Sequence, residues 1–370
     1  MRSVGVAYCD EAQRERRPPG HTCAPHVEEP GTPMTITAVI VCYDEQADQI
    51  RAAVDSLREQ TRPPSEIVIV DNGPGGRLAA ALDGYAPGVR AIESGRDGGY
   101  GRAVNIAAAQ ASGDYLLCLN PDARAQADCV EQLAAVADAD PRVALVGAQI
   151  LLDDGQTRNA GANPLHPTGI SVAGGYGQPR EQGAPRNVIA VSGACFLVRR
   201  SALLELGGFI EEFFLYYEDT NLCWRAFLAG GRVVYCPAAI VVHSYEFGGR
   251  PQKWFWLERN RLFSVLANYE ARTLLLLAPL LLATEVGLLA VAASGGWLAE
   301  KLKAYGSLIA VRGTLMAQRR AVQESRRRPD VDVLRHIDDR LDAALMPGSW
   351  AKLADCFCLP YMRIVRLLIR

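Results

Sequence analysis

Seven residues, Thr37-Ala-Val-Ile-Val-Cys-Tyr43, form a near-continuous apolar run, the pattern of a strand buried on both faces. Ile50, Val54 and Leu57 follow at helical spacing. The apolar run at 66–71 is a second strand ending in Asp71-Asn72-Gly73, and 89–93 is a short third. A glycine-rich loop, Gly95-Arg96-Asp97-Gly98-Gly99-Tyr100-Gly101, precedes a helix expected over 102–111. Tyr115-Leu-Leu-Cys-Leu119 is another buried strand, and it stops at Asn120-Pro121-Asp122. A helix is expected over 125–139 from Val130, Leu133 and Val136, then a strand over 143–150. Strands alternating with helices imply an α/β fold with a mostly parallel, doubly wound sheet and helices on both faces.

Residues 151–186 lose the period and read as a long excursion over the sheet, a place where function often lies. Short strands over 188–192 and 194–198 flank Gly193 and are expected at a mixed sheet edge. Aromatics then run from Phe209 to Tyr217 directly into Glu218-Asp219, where helical spacing resumes and ends at Gly230-Gly231. Two more apolar runs, 233–236 and 238–242, read as separate strands, the second ending in His243.

The character of the chain changes after residue 270. Residues 273–294 are almost wholly apolar, interrupted by Pro279, Glu285 and Gly287. The interruptions favour an embedded or interfacial hairpin over a clean spanning helix. Lys301, Lys303, Arg312, Arg319, Arg320 and Arg326 to Arg328 follow, as beside anionic lipid on a cytoplasmic face. Residues 359–370 read as a basic amphipathic surface helix. The expected division is a disordered extension over 1–34, a catalytic-type domain over 35–270, and a helical membrane-associated region over 271–370.

Composition narrows the class. Hydrophobic residues are 49% and charged residues 22%, which excludes global disorder. A net charge of −2 gives no nucleic-acid signal. Ten cysteines without CxxC spacing point to a reduced, cytoplasmic setting, with Cys42 and Cys118 as small buried hydrophobes. His21, Cys23 and His26 do not complete a metal site, and no signal-peptide core precedes Met34, the expected working start.

Candidate chemistry gathers at strand ends. Pro121 stiffens the turn after the Tyr115 strand, so Asp122 projects in a set direction. Such a carboxylate suits a divalent cation bridging two phosphates, or equally a helix cap. The loop at Gly98 and Gly99 lacks both the dinucleotide fingerprint and the Walker pattern, yet its glycines allow close backbone approach to a phosphate or sugar. Glu218 and Asp219 fit the start of a helix. Desolvation by the preceding aromatics would also make them better proton acceptors. His243, just past a strand, is a candidate metal ligand.

In order along the chain, Val39-Ile-Val-Cys-Tyr-Asp-Glu45, Val70-Asp-Asn-Gly73, Gly98-Gly-Tyr-Gly101 with Asn105, Leu119-Asn-Pro-Asp122, Tyr217-Glu-Asp219 with Arg225, and His243 with Arg259-Asn260 resemble the inverting family 2 glycosyltransferases of GT-A fold, most closely the bacterial rhamnosyltransferase-like members. The resemblance covers about residues 35–270. It implies a GT-A, Rossmann-like mixed sheet and Mg²⁺ or Mn²⁺ held by Asp122 and His243. It assigns Tyr43 and Asp71 to the nucleotide base, with Glu45 beside them. Gly98, Gly99 and Asn105 line the sugar-nucleotide cleft, Asn120 touches sugar or ribose, and Arg225 and Arg259 complete the substrate set. Asp219 is then the general base, with Glu218 beside it. The implied partners are a nucleotide-diphosphate sugar donor, dTDP-rhamnose or a UDP-sugar, and a glycan or lipid-linked acceptor at the inner face of the cytoplasmic membrane. Arg96 and Asp97 depart from the family's usual Asn before the glycines.

Two other classes compete. A nucleotidyltransferase also uses a doubly wound sheet and a metal carboxylate, but wants a basic glycine-rich loop after the first strand, where Tyr43-Asp44-Glu45 is acidic. A non-catalytic scaffold would not need Asp122, Asp219 and His243 intact. Metal-dependent hydrolysis of nucleotide sugars separates all three.

Overall fold

The computed structural model describes residues 34–244, 252–340 and 348–369, with side chains from 355 onward in the last segment. The expectations for residues 1–33 lie outside them. The chain runs β1 (Ile36–Cys42), α1 (Ala47–Arg58), β2 (Glu66–Asp71), α2 (Arg77–Leu82), β3 (Val89–Glu93), α3 (Gly99–Gln110), β4 (Tyr115–Leu119), β5 (Ala123–Ala125), α4 (Cys129–Asp138) and β6 (Val143–Leu151). Short strands β7 (Arg158–Ala160), β8 (Ala162–Asn163), β9 (Arg186–Asn187) and β10 (Ala190–Val191) precede β11 (Cys195–Arg199), α5 (Arg200–Glu205), α6 (Glu218–Leu228) and β12 (Arg232–His243). Six helices close the chain: α7 (Gln252–Asn268), α8 (Ala271–Ser294), α9 (Leu298–Ala310), α10 (Arg312–Ser325), α11 (Asp330–His336) and α12 (Gly348–Ile369).

The main sheet has the order β3-β2-β1-β4-β11-β6-β12-β5. β1 pairs in parallel with β2 and with β4, in registers that set Val39 beside Val68 and Cys118. Strand order reverses between β1 and β4, so their carboxyl ends open on a crevice, where such sheets bind ligands. Alternate residues feed opposite faces. Val39, Val41, Leu116 and Cys118 join one core with Phe196 and Trp224, while Ala38, Ile40, Leu117 and Leu119 join another with Ile50, Val54, Leu57 and Leu133. The α/β sheet with helices on both faces is therefore present, with strand β11 making it mixed.

Several local expectations are corrected. β11 is not an edge: it lies antiparallel between β4 and β6 and is buried through Val198. The expected helix over 125–139 begins only at Cys129, because Ala123–Ala125 pairs with β12 instead. Pairing to a partner strand outweighs the helix propensity of two alanines. The two runs after Gly231 are one strand, β12, bulged between Cys236 and Ile240 around Pro237, which has no N–H for the ladder. The apolar stretch is not a hairpin. α8 is one continuous helix of 24 residues with Pro279 inside it, the only helix among the described residues long and apolar enough to cross a membrane.

The core does not stop at residue 270. Leu277, Val322, Val333, Leu334, Met362 and Val365 belong to the same buried cluster as Trp224 and Tyr269, and Met34–Arg370 forms one compact unit. The described cysteines are all free, and all but Cys356 are buried.

Candidate active site

Asp122 and His243 come together through β5. The strand is only three residues long, but it pairs Ala123 with His243 and so folds the turn after β4 onto the end of β12. His243 Nε2 lies 3.0 Å from Asp122 Oδ1 and 3.3 Å from Asn120 Nδ2. Nε2 with a proton serves the carboxylate, and without one it serves the amide; no single tautomer satisfies both as placed. Burial pushes the Asp122 carboxyl up, but the adjacent His243 ring outweighs it and holds the group below the usual carboxylate range. Two donors about 3 Å apart also match neighbouring ligand positions around an octahedral ion with bonds of about 2.1 Å. Among the described residues no cluster of three metal-ligating side chains exists. The corner thus supplies two side chains, Asp122 and His243, that could serve as ligands to a divalent ion whose other positions other oxygen donors or water would fill.

Beside this corner, Tyr43, Asn72, Gly73, Glu93 and Arg96 line a cleft of about 280 Å³. Tyr43 is 45% exposed, and its N–H donates to Glu45 Oε2 at 2.6 Å. A Cβ on Gly73 would collide with the Tyr43 carbonyl, so the ends of β1 and β2 approach this closely only with glycine there. Asp71, assigned to the nucleotide base, is buried behind the lining with its carboxylate committed to backbone: Gly73 N–H at 2.7 Å, and those of Leu78 and Ala79 at 2.9 Å. It shapes the turn that lines the cleft. Burial raises the Glu45 carboxyl, and the Asp44 and Asp122 charges add to the rise. A diphosphate approaching this acidic rim meets repulsion that a cation removes.

The acid pair is carried on a turn of unusual backbone. Phe214, Tyr216 and Tyr217 have φ of 58°, 65° and 71°, each costing about 1–3 kcal/mol for a residue with a Cβ. Asn260 holds them. Its Nδ2 donates to the carbonyls of Phe213, Leu215 and Tyr216 at 2.9, 3.1 and 2.7 Å. The Tyr217 hydroxyl donates to the Gly169 carbonyl, which ties the turn to the long excursion. Gly99, at φ 79°, lies against the Phe214 carbonyl where a Cβ would overlap it, and Tyr100 N–H donates to that carbonyl at 2.9 Å.

Asp219 Oδ2 accepts from Gly193 N–H at 2.7 Å and Oδ1 from Thr220 N–H at 2.6 Å. Burial raises its pKa against those bonds. Glu218 Oε2 is sealed from solvent without a hydrogen-bond partner, and burial, with Asp219 beside it, pushes the group up to about 8. Asn120 N–H donates to the Ala194 carbonyl at 2.9 Å, so the strap at Gly193 and Ala194 joins the Asp122–His243 corner to the acid helix.

Three further expected substrate residues spend their side chains on the protein itself, as Asp71 does. Asn105 exchanges two hydrogen bonds with the Phe209 backbone, at 2.9 and 2.8 Å, and braces the segment leading to the acids rather than lining the cleft. Arg225 is 3% exposed and spends its donors on Asn221 and on the carbonyls of Leu206 and Gly208. Arg259 donates to Asn260 and to the Glu212 carbonyl, with its guanidinium 4.5 Å over the Trp256 ring. Burial lowers both arginines to about 10. Asn260, Gly193 and Tyr100 carry the site geometry, and no local signal in the sequence singles out Gly193.

Comparison with known proteins bears on the family and the fold. Residues 37–207 match the family described as glycosyl transferase family 2, a match that ends before Glu218 and His243. Over 214 residues the chain is 33% identical to the N-acetylglucosaminyl-diphospho-decaprenol L-rhamnosyltransferase of Mycobacterium tuberculosis, covering 51% of this chain and 69% of that one. It is 27% identical over 245 residues to the O-antigen chain rhamnosyltransferase of Salmonella typhimurium, covering 61% and 76%. Among solved structures it is similar to GalNAc-T7 with UDP, GalNAc and Mn²⁺, with TM-score 0.53 and 18% identity over 64% of this chain and 48% of that one. At that identity the shared property is the GT-A-like fold.

Proposed function

This chain belongs to glycosyl transferase family 2, and from that premise we propose that it moves a sugar from a nucleotide-diphosphate donor to a hydroxyl of a glycan or lipid-linked acceptor, with inversion, in cell-envelope polysaccharide synthesis. dTDP-rhamnose is the first donor to test and UDP-sugars the next; the rhamnosyltransferase relatives favour the first. The reading is carried by the pairing of Asp122 with His243 at the sheet's switch point, joined through Gly193 and Ala194 to a desolvated carboxylate pair.

Tyr43 and the turn held by Asp71 bind the base, while Gly98 and Gly99 let the backbone approach the sugar. Asp122 and His243 would hold Mg²⁺ or Mn²⁺, which would supply charge neutralisation for the departing diphosphate. Asp219 takes the proton of the acceptor hydroxyl as it attacks the anomeric carbon. The displacement runs in a single step without a covalent intermediate, which inverts the anomeric centre. Burial keeps the proton affinity of Asp219 high. The test is a thermal-shift panel of nucleotide sugars with Mn²⁺ or Mg²⁺, followed by transfer with the stabilising donor and NMR of the anomeric product. No metal-dependent shift with any donor, or a retained anomeric configuration, defeats the proposal.

A further inference from the structure

Helix α8 is built inside out. A surface helix in water normally turns its apolar stripe to the core and its charges outward. Here the only carboxylate of the helix, Glu285, faces the protein. It accepts from Lys301 Nζ at 2.7 Å, from the Tyr305 hydroxyl at 2.6 Å, and from Arg261. Arg261 and Lys301 also bind Glu258 of α7, and all four charged groups are buried or nearly so. The outward positions Leu275, Ala278, Leu282, Val286 and Ala290 recur every three or four residues, one helix face. Leu275, Leu282 and Val286 are 76%, 68% and 61% exposed.

α12 runs beside it in the opposite direction. The Tyr361 hydroxyl donates to the Leu276 carbonyl at 2.6 Å, and Arg272 donates to that of Leu368. Its own outward positions include Phe357, Ile364, Leu367 and Leu368. Among the described side chains, the only charged residues at exposed positions of these two helices are Arg272 and Arg363. The outward face is thus apolar and cationic, with no exposed acid.

We propose that this paired face seats on the anionic surface of a lipid bilayer, with α8 lying in the plane of the interface rather than crossing it. Apolar stripes enter the headgroup boundary, and arginines at their margin meet anionic headgroups. Crossing would pull Glu285 away from Arg261 and Lys301 and leave two cations buried with Glu258 alone. α7 gives the seat a consequence: Asn260 holds the acid turn, while Arg261 of the same helix holds α8 through Glu285. A seated bilayer therefore has a set orientation relative to the acids, suited to a lipid-linked acceptor. That last consequence rests on the proposed transfer reaction, but the seat does not, because vesicle binding reads no turnover.

The test is flotation of the full-length protein with vesicles of phosphatidylcholine, alone or mixed with phosphatidylglycerol. Binding is expected to the mixed vesicles and to weaken in their absence. Leu275→Glu with Leu282→Glu should weaken it on the order of a hundredfold, with the melting temperature and its shift by dTDP or UDP with Mn²⁺ unchanged. Alkaline carbonate should release the bound protein. Failure to float with any vesicle, or equal binding by the double variant, overturns the seat. Retention in carbonate means a crossing helix and overturns the in-plane arrangement. A lipid-free dimer that the double variant dissolves would show that a second copy covers this face instead.

Discussion

The two halves of the site are held in different ways. The Asp122–His243 corner stands on strand ends: β4 and β12 bring it to the crevice, and three residues of pairing in β5 bring the two side chains together. The Glu218–Asp219 corner stands on a turn with three positive-φ residues, kept in place by distant side chains, Asn260 above all. Their electrostatics also diverge, since Asp122 is held low by its histidine whereas burial raises both acids of α6. A corner set by sheet pairing needs little support beyond the sheet. A strained one depends on every strut, and strain of this kind persists only where the surroundings over-determine it.

Asp122→Ala tests the first corner and should have the largest effect. Transfer is expected to be abolished, and the Mn²⁺-dependent part of UDP or dTDP binding lost, while the melting temperature without metal stays close to wild type. Unchanged metal-dependent binding would remove the ligand assignment.

Asp219→Asn tests the second. A lost general base lowers turnover by roughly 10²–10⁴, with donor affinity little changed because the residue is assigned to the acceptor. Glu218→Gln is the companion measurement. If it is dead while Asp219→Asn transfers at near wild-type rate, the base is Glu218.

Asn260→Ala asks whether the acid turn depends on its struts. Three carbonyls lose their donor, so a destabilisation of about 1–3 kcal/mol is expected, read by denaturant unfolding. Turnover should fall while metal-dependent donor binding persists, and equal losses in both would mean that the two corners are not separately held.

The smallest expected effect is a pH dependence. Glu218 is raised from 4.5 to about 8 in the folded chain, so between those values the folded state holds a proton that the unfolded state has released. Stability from this group therefore falls as pH rises from about 4.5 towards 8. Glu218→Gln should flatten that part of the melting-temperature profile. A profile identical to wild type would show that Glu218 is ionised throughout.

The alternation of strands and helices through β4, the buried runs of β1 and β4, and Asp122 and His243 as strand-end residues were legible in the chain, because period and apolar length report burial directly. The start of α6 was legible for the same reason. β5 was not, since Ala-Arg-Ala carries no strand signal and forms one only because β12 lies beside it. Arg225, Arg259 and Asn105 were assigned to substrate because a motif marks a neighbourhood, and only contacts reveal that each side chain is spent on backbone.

The sequence by itself determined an α/β sheet with helices on both faces, the apolar character of residues 273–294, and the residue types available for chemistry. Tertiary structure alone decided which of them meet. Strap and strut contacts, Gly193 with Asp219 and Asn260 with the turn, span 26 and about 45 residues of chain, beyond the reach of any local period. It also decided that Glu285 faces inward: hydropathy registers a charge in an apolar run, but the direction it points is set by Arg261 and Lys301, on helices before and after its own.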